Sequence, residues 1–151
     1  NLPIKASQVV KIVPFCKFGG HIFGEVIPWY CFGEIRADVH LYTRALFERM
    51  PPTRLSEISI LTTKELITFV LCHEMVHVKQ LIEKRLMLYN RQVIWHWKEA
   101  GQWQCKIYKN RDAMREYTNL PWEKEANTVG EDILNRLKFL STWNDIPEWR
   151  V

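Results

Sequence analysis

Apolar and polar positions follow two different rhythms along this chain. Between Gly33 and Tyr42 the residues alternate, with Ile35, Ala37, Val39 and Leu41 on one side and Arg36, Asp38 and His40 on the other. A period of two describes a β-strand with one face in a core. The segment His21 to Trp29 is rich in Ile, Phe and Val, and the turn-like stretch from Pro28 to Gly33 predicts that it pairs antiparallel with strand 33–42. Residues 8 to 15, QVVKIVPF, fit a third strand or a short helix. Pro51-Pro52 closes this β-rich section.

Past the prolines the rhythm changes. From Thr62 to about Leu88 the chain reads TTKELITFVLCHEMVHVKQLIEKRLML, with a Thr-rich start suited to N-capping, Glu65 in the first turn, and no Gly or Pro. This predicts one long helix. Its apolar residues, Leu66, Ile67, Phe69, Val70, Leu71, Met75, Val76, Val78, Leu81 and Ile82, are too many for a single stripe, so its middle should be buried on most sides. A second helix opens at Pro121, a residue suited to a first turn, and runs through WEKEANTVGEDILNRLKFL to about Leu140. Strands first and helices after them define an α+β class, and the chain reads as a single domain, 1–151.

Within the first helix stands His73-Glu74-Met75-Val76-His77. Helical positions i and i+4 share a face, so both imidazoles can address one metal ion while Glu74, about 100° round the helix, flanks it. Two histidines and a carboxylate in so apolar a setting need partners, since an unpaired buried polar group costs roughly 1–3 kcal/mol. A metal would satisfy all three; the plain alternative is a pair of core histidines bonded to carbonyls. A zinc site of this kind needs a third protein ligand from another element and leaves a fourth position open. The start of the second helix offers two carboxylates, Glu123 and Glu125.

HExxH followed by E-x-x-A-N resembles the gluzincin branch of the zincin metallopeptidases, in which the glutamate of an E-x-x-[AS]-[DN] segment completes the metal site. The resemblance spans roughly residues 60 to 140 and extends to small SprT-like and phage-encoded metallopeptidase-like proteins, and more distantly to ImmA-type repressor-cleaving proteases. It implies a zincin-like fold, a small N-terminal antiparallel sheet packed on the HExxH helix and a second ligand-bearing helix. It also implies Zn2+ held by His73, His77 and Glu123, with Glu74 as general base in the hydrolysis of a protein or peptide substrate. Asn127, one turn beyond Glu123, is then placed to accept the second N–H of a ligand histidine. Glu125 points elsewhere and reads as a solvated first-turn carboxylate, with the role of third ligand as its alternative. The oxyanion donor is Tyr117, Tyr108 or His96. In zincins an extended substrate adds to a sheet edge beside the metal helix, and strand 33–42 is the expected edge. The H-E-x-x-H-x-x-G-x-x-H continuation of metzincins is missing, with Gln80 and Glu83 where Gly and His would stand.

Composition narrows the alternatives. With 151 residues, 47% of them hydrophobic and 13% aromatic, the chain can bury a core without disulfides. Cys16, Cys31, Cys72 and Cys105 form no C-x-x-C and read as reduced thiols. No stretch has signal-peptide character or approaches the ~18 apolar residues of a membrane span. The cytoplasm is the default expectation, with secretion or virion association left open. The segment Lys84 to Arg115 interleaves eight Lys and Arg residues with Tyr89, Trp95, Trp97, Trp103 and Tyr108. Such a pattern can bind single-stranded nucleic acid. With a net charge of only +4, a solvated charged face over an aromatic mini-core is the stronger expectation and weak nucleic-acid binding the second. Two further readings stand beside the peptidase: a zinc-binding structural or interaction module, for example phage-associated, and a nucleic-acid-associated protein.

Overall fold

The computed structural model describes residues 10–15, 23–31, 33–42, 46, 62–109 and 117–148. Its elements, in chain order, are β1 (Val10–Phe15), β2 (Gly24–Cys31), β3 (Glu34–Tyr42), α1 (Thr63–Ile82), β4 (Leu86–Tyr89), β5 (Gln92–Glu99), β6 (Gln102–Lys109) and α2 (Pro121–Lys138), with short 3-10 turns at Tyr117–Asn119 and Ser141–Asp145. The architecture is α+β, with two three-stranded sheets. The Pro51-Pro52 boundary and residues 110–116 of the basic segment lie outside the described residues.

The first sheet has the order β1-β3-β2. β2 runs antiparallel to β3, as the turn-like stretch between them predicts, and the register sets Val26 opposite Val39 and Gly24 opposite Leu41. The undecided segment is strand β1, and it lies parallel to β3, so the sheet is mixed rather than antiparallel throughout. Strand 33–42 is the centre of the sheet and not its edge. The two prolines explain this: Pro14 and Pro28 cannot donate a ladder hydrogen bond and are accommodated on the outer strands β1 and β2. The inward face of β3, Ala37, Val39 and Leu41, packs with Phe23, Leu46, Leu66, Val70 and Val78 into the first core cluster, between this sheet and α1.

Helix α1 begins with a capping box. The Thr62 side chain accepts from Glu65 N, while Glu65 Oε2 accepts from Thr62 N at 2.9 Å. The helix stops at Ile82, six residues before the expected end. Lys84 takes a left-handed φ of 56°, Lys84 N–H bonds to Leu81 O, and Arg85 N–H bonds to Gln80 O. That pair of bonds is the Schellman closure, ordinarily marked by glycine. With lysine in the place of glycine, no breaker residue announces it.

Leu86 onward forms an antiparallel β-meander, β4-β5-β6, where the sequence suggested a helix end and a connector. Both hairpins have two-residue loops, Asn90-Arg91 and Ala100-Gly101, and all four residues have positive φ. This is the backbone of type I′ turns, whose twist matches that of paired strands. One face of the meander supplies Leu86 and Trp95 to a second core cluster with Leu81, Leu120 and Trp122, against which Val93, Trp97 and Tyr108 pack. Tyr108 meets the Trp122 ring edge-on at 5.0 Å and Trp95 lies 6.1 Å from it. The aromatic mini-core is therefore present, and it seats the first turn of α2.

α2 lies along α1, and Gly130 makes the approach possible: a Cβ there would stand 3.2 Å from His73 N and 3.3 Å from His73 Cα. Beyond α2, Lys64 is buried with its Nζ donating to Trp143 O at 2.7 Å and lying 4.5 Å from the Trp143 ring centre. Lys138 pairs with Glu65. These contacts fasten the end of the described chain to the start of α1.

Candidate metal centre

His73 and His77 are stacked one helical turn apart on the face of α1 that meets α2, and Glu123 is the third residue of α2. The long-range packing of the two helices converts neighbours in sequence and a residue some fifty positions away into one cluster. His73 Nε2 lies 3.0 Å from His77 Nε2. Glu123 Oε2 lies 3.3 Å from His73 Nε2, and Glu123 Oε1 lies 3.4 Å from His77 Nε2. Among the described residues, this is the one group of three or more His, Cys, Asp or Glu side chains placed to hold a metal ion.

The spacing itself tests whether an ion fits. Ligand atoms about 2.0–2.1 Å from a tetrahedral centre lie about 3.3–3.4 Å from one another. The 3.0 Å between the two imidazole nitrogens approaches that figure, and so do the 3.3 and 3.4 Å from them to Oε2 and Oε1 of Glu123, whose carboxylate spans the pair. Three side chains that each offer one ligand atom within 4.8 Å of the others fit a small divalent cation, with one position of a tetrahedron left to a further ligand.

Electrostatics are consistent with a cation among these groups. Burial drives the Glu123 carboxyl upward, but the two imidazoles outweigh it and hold the group down at about 2. Burial disfavours charge on His77, yet the facing Glu123 carboxylate prevails and raises its pKa. Glu74 lies beside the cluster, 6% exposed. Burial raises its pKa and Glu123 adds to the rise, while His73 and His77 oppose it. A carboxyl whose proton affinity is lifted in this way suits proton transfer.

Neighbouring residues shape this arrangement. Gly24 of β2 lies against Glu74: a Cβ there would come within 3.0 Å of Glu74 Oε1 and of Val70 Cγ1. Tyr117 stands just before α2, and its hydroxyl interacts with the Glu123 carboxylate; burial first, then Glu123 and Glu74, push its pKa far upward. Of the three donors considered, Tyr117 alone is placed at the cluster. Tyr108 is engaged with Trp122, and His96 faces the opposite side of β5 from Trp95.

Glu125 is placed elsewhere. Its two oxygens take Arg85 Nη1 and Nη2 at 2.8 and 2.5 Å, a bidentate pair tying the end of α1 to α2, rather than the free carboxylate the sequence suggested. The bond expected of Asn127 is made by another residue. His77 Nδ1 lies 2.8 Å from Oε1 of Gln80, which is fully buried and whose Nε2 donates to Trp122 O at 3.1 Å. His73 Nδ1 is buried without a hydrogen-bond partner among the described residues. Gln80 was not among the expected site residues, although a polar residue three positions after His77 in an apolar helix was the available signal.

Comparison of the chain with models of known protein families, with curated proteins and with solved structures finds no match. Among the described residues no helix is long and apolar enough to cross a membrane.

Proposed function

We propose that the protein is a zinc-dependent endopeptidase of the gluzincin type, with His73, His77 and Glu123 as metal ligands and Glu74 as general base. The observation that carries this reading is the convergence of both imidazoles and Glu123 at ligand-to-ligand spacing, with a buried carboxyl of raised proton affinity beside them. Zinc in this site would supply Lewis acidity to a scissile carbonyl and bring the ionisation of water down to about pH 7. Glu74 takes the proton of the attacking water and passes it to the leaving amine. Tyr117 donates to the oxygen on which negative charge develops. β2 replaces strand 33–42 as the edge that receives an extended peptide, because it is an outer strand and Gly24 brings its backbone against Glu74.

A purely structural zinc is less well supported, since such sites usually close with four protein ligands and, among the described residues, three converge here. The nucleic-acid reading also weakens. Trp95, Trp97 and Tyr108 are used by the core, which leaves the exposed Tyr89 and Trp103, the latter with Lys98 over its ring.

The test compares wild type with Glu74→Gln for zinc content and for casein or peptide cleavage with and without a chelator. Wild type should contain zinc and lose cleavage on chelation. The variant should keep its zinc while turnover falls about 100- to 10,000-fold. Undiminished hydrolysis in the variant would refute the assigned base, and a wild type that takes up no zinc would refute the centre.

A further inference from the structure

The Gln80 side chain joins two groups whose chemistry decides how its amide must lie. One end is 3.1 Å from the Trp122 carbonyl oxygen, the other 2.8 Å from His77 Nδ1, and the residue is fully buried. A backbone carbonyl accepts hydrogen bonds and never donates them, so the NH2 end must face Trp122 and the oxygen must face the imidazole. The amide oxygen also only accepts. His77 Nδ1 therefore carries a hydrogen, and in the neutral ring the lone pair falls on Nε2, the atom turned toward His73 and Glu123.

We infer that Gln80 is a positioning residue for the metal centre, one that relays the direction of the Trp122 carbonyl to His77 and holds this imidazole in the Nδ1–H tautomer with Nε2 ready to ligate. The inference rests on the metal-centre reading of the site. The relay also links the two halves of the donor set. The Trp122 carbonyl belongs to the peptide unit that precedes Glu123, so one buried amide ties a ligand on α1 to the backbone beside a ligand on α2. The two imidazoles are unequal as a result. His77 is preset, whereas His73 has no hydrogen bond at Nδ1 among the described residues.

Two substitutions separate positioning from packing. Gln80→Met keeps the length of the side chain and removes both hydrogen bonds. Gln80→Glu keeps an oxygen to accept from His77 Nδ1–H and gives up the donor to Trp122. Zinc affinity is measured by competition with a chromophoric chelator, and the tautomer of His77 by imidazole 15N NMR of the metal-free protein at alkaline pH. Wild type should show the Nδ1–H tautomer. Gln80→Met should show mixed tautomers and bind zinc about 10- to 100-fold more weakly, the usual effect of removing the outer partner of a ligand histidine. Gln80→Glu should lose thermal stability yet bind zinc within a few-fold of wild type. Wild-type zinc affinity in Gln80→Met, an Nε2–H tautomer in wild type, or equal losses in the two variants would overturn the inference. Should Gln80→Met not fold, the wild-type tautomer and Gln80→Glu still decide. A wild type that takes up no zinc overturns the underlying reading, and the tautomer, read without metal, distinguishes that failure from an error about Gln80.

Discussion

Replacing Gly130 by alanine tests the contact on which the centre depends. In an exposed helix interior the change would stabilise the protein by about 1 kcal/mol, the difference in helix propensity. Here the added methyl would meet His73 N at 3.2 Å and His73 Cα at 3.3 Å. Both are backbone atoms of α1, so no side chain can swing aside and α2 must retreat by a few tenths of an ångström. Overpacking of this kind costs about 1–3 kcal/mol, and the rigidity of the atoms met places the cost in the upper half of that range. The net result is a loss of about 1–2 kcal/mol, or roughly 2–8 °C in Tm for a chain of this size. The assay is thermal unfolding of metal-free protein, with Thr128→Ala, an exposed position on the same helix, as the control that should be neutral or slightly stabilising. Zinc affinity should fall in Gly130→Ala as well, because the retreat of α2 carries Glu123 away from the imidazoles. A Tm at or above wild type would show that the helices are not in the contact described.

The two acidic residues at the start of α2 should separate cleanly: Glu123→Gln should abolish stoichiometric zinc binding, while Glu125→Gln should leave it intact and lower stability by about 1 kcal/mol through loss of the Arg85 pair. Metal analysis and unfolding curves of the two variants check this, and zinc loss in the Glu125 variant would reverse the assignment. Tyr117→Phe should lower kcat with little change in zinc content, and unchanged turnover in steady-state assays would remove Tyr117 as the donor. Glu65 is held below its ordinary pKa, first by Lys138 and then, against burial, by the Thr62 cap. A depressed folded-state pKa contributes stability that is complete above the unfolded value and is lost as pH falls through the folded one. Glu65→Gln should therefore destabilise by about 1 kcal/mol at neutral pH and progressively less as the medium is acidified below about pH 4. Urea unfolding at several pH values measures the difference, and a pH-independent gap would contradict the ionic origin.

Local pattern reached some elements and not others. Strand β3 was readable because one face of it is buried and the other is not, so polarity alternates with the pleat. The start of α1 was readable because a capping box is a local device. Its end was not, because the closure depends on the left-handed conformation of Lys84 and on the packing of Leu86 into the aromatic cluster. The β-meander was missed for a related reason: Asn90-Arg91 and Ala100-Gly101 are weak turn signals until the strands on either side pair. Pro14 and Pro28, whose missing N–H bars them from the middle of a sheet, were the signal for the edge strands, and the expectation of an edge at strand 33–42 left them out of account.

His73, Glu74 and His77 followed from sequence alone, since helical periodicity determines which side chains share a face wherever the helix may lie. The choice between Glu123 and Glu125 was different in kind. The two are separated by about 200° around α2, and only the docking of that helix on α1, through the small Gly130 and the seat that the meander builds for Trp122, turns one carboxylate toward the imidazoles and the other toward Arg85. The same docking brings the Trp122 carbonyl to Gln80. Periodicity orders residues within an element, whereas contacts between elements depend on the sum of many packing interactions along the whole chain, and that sum decided which groups stand around the centre.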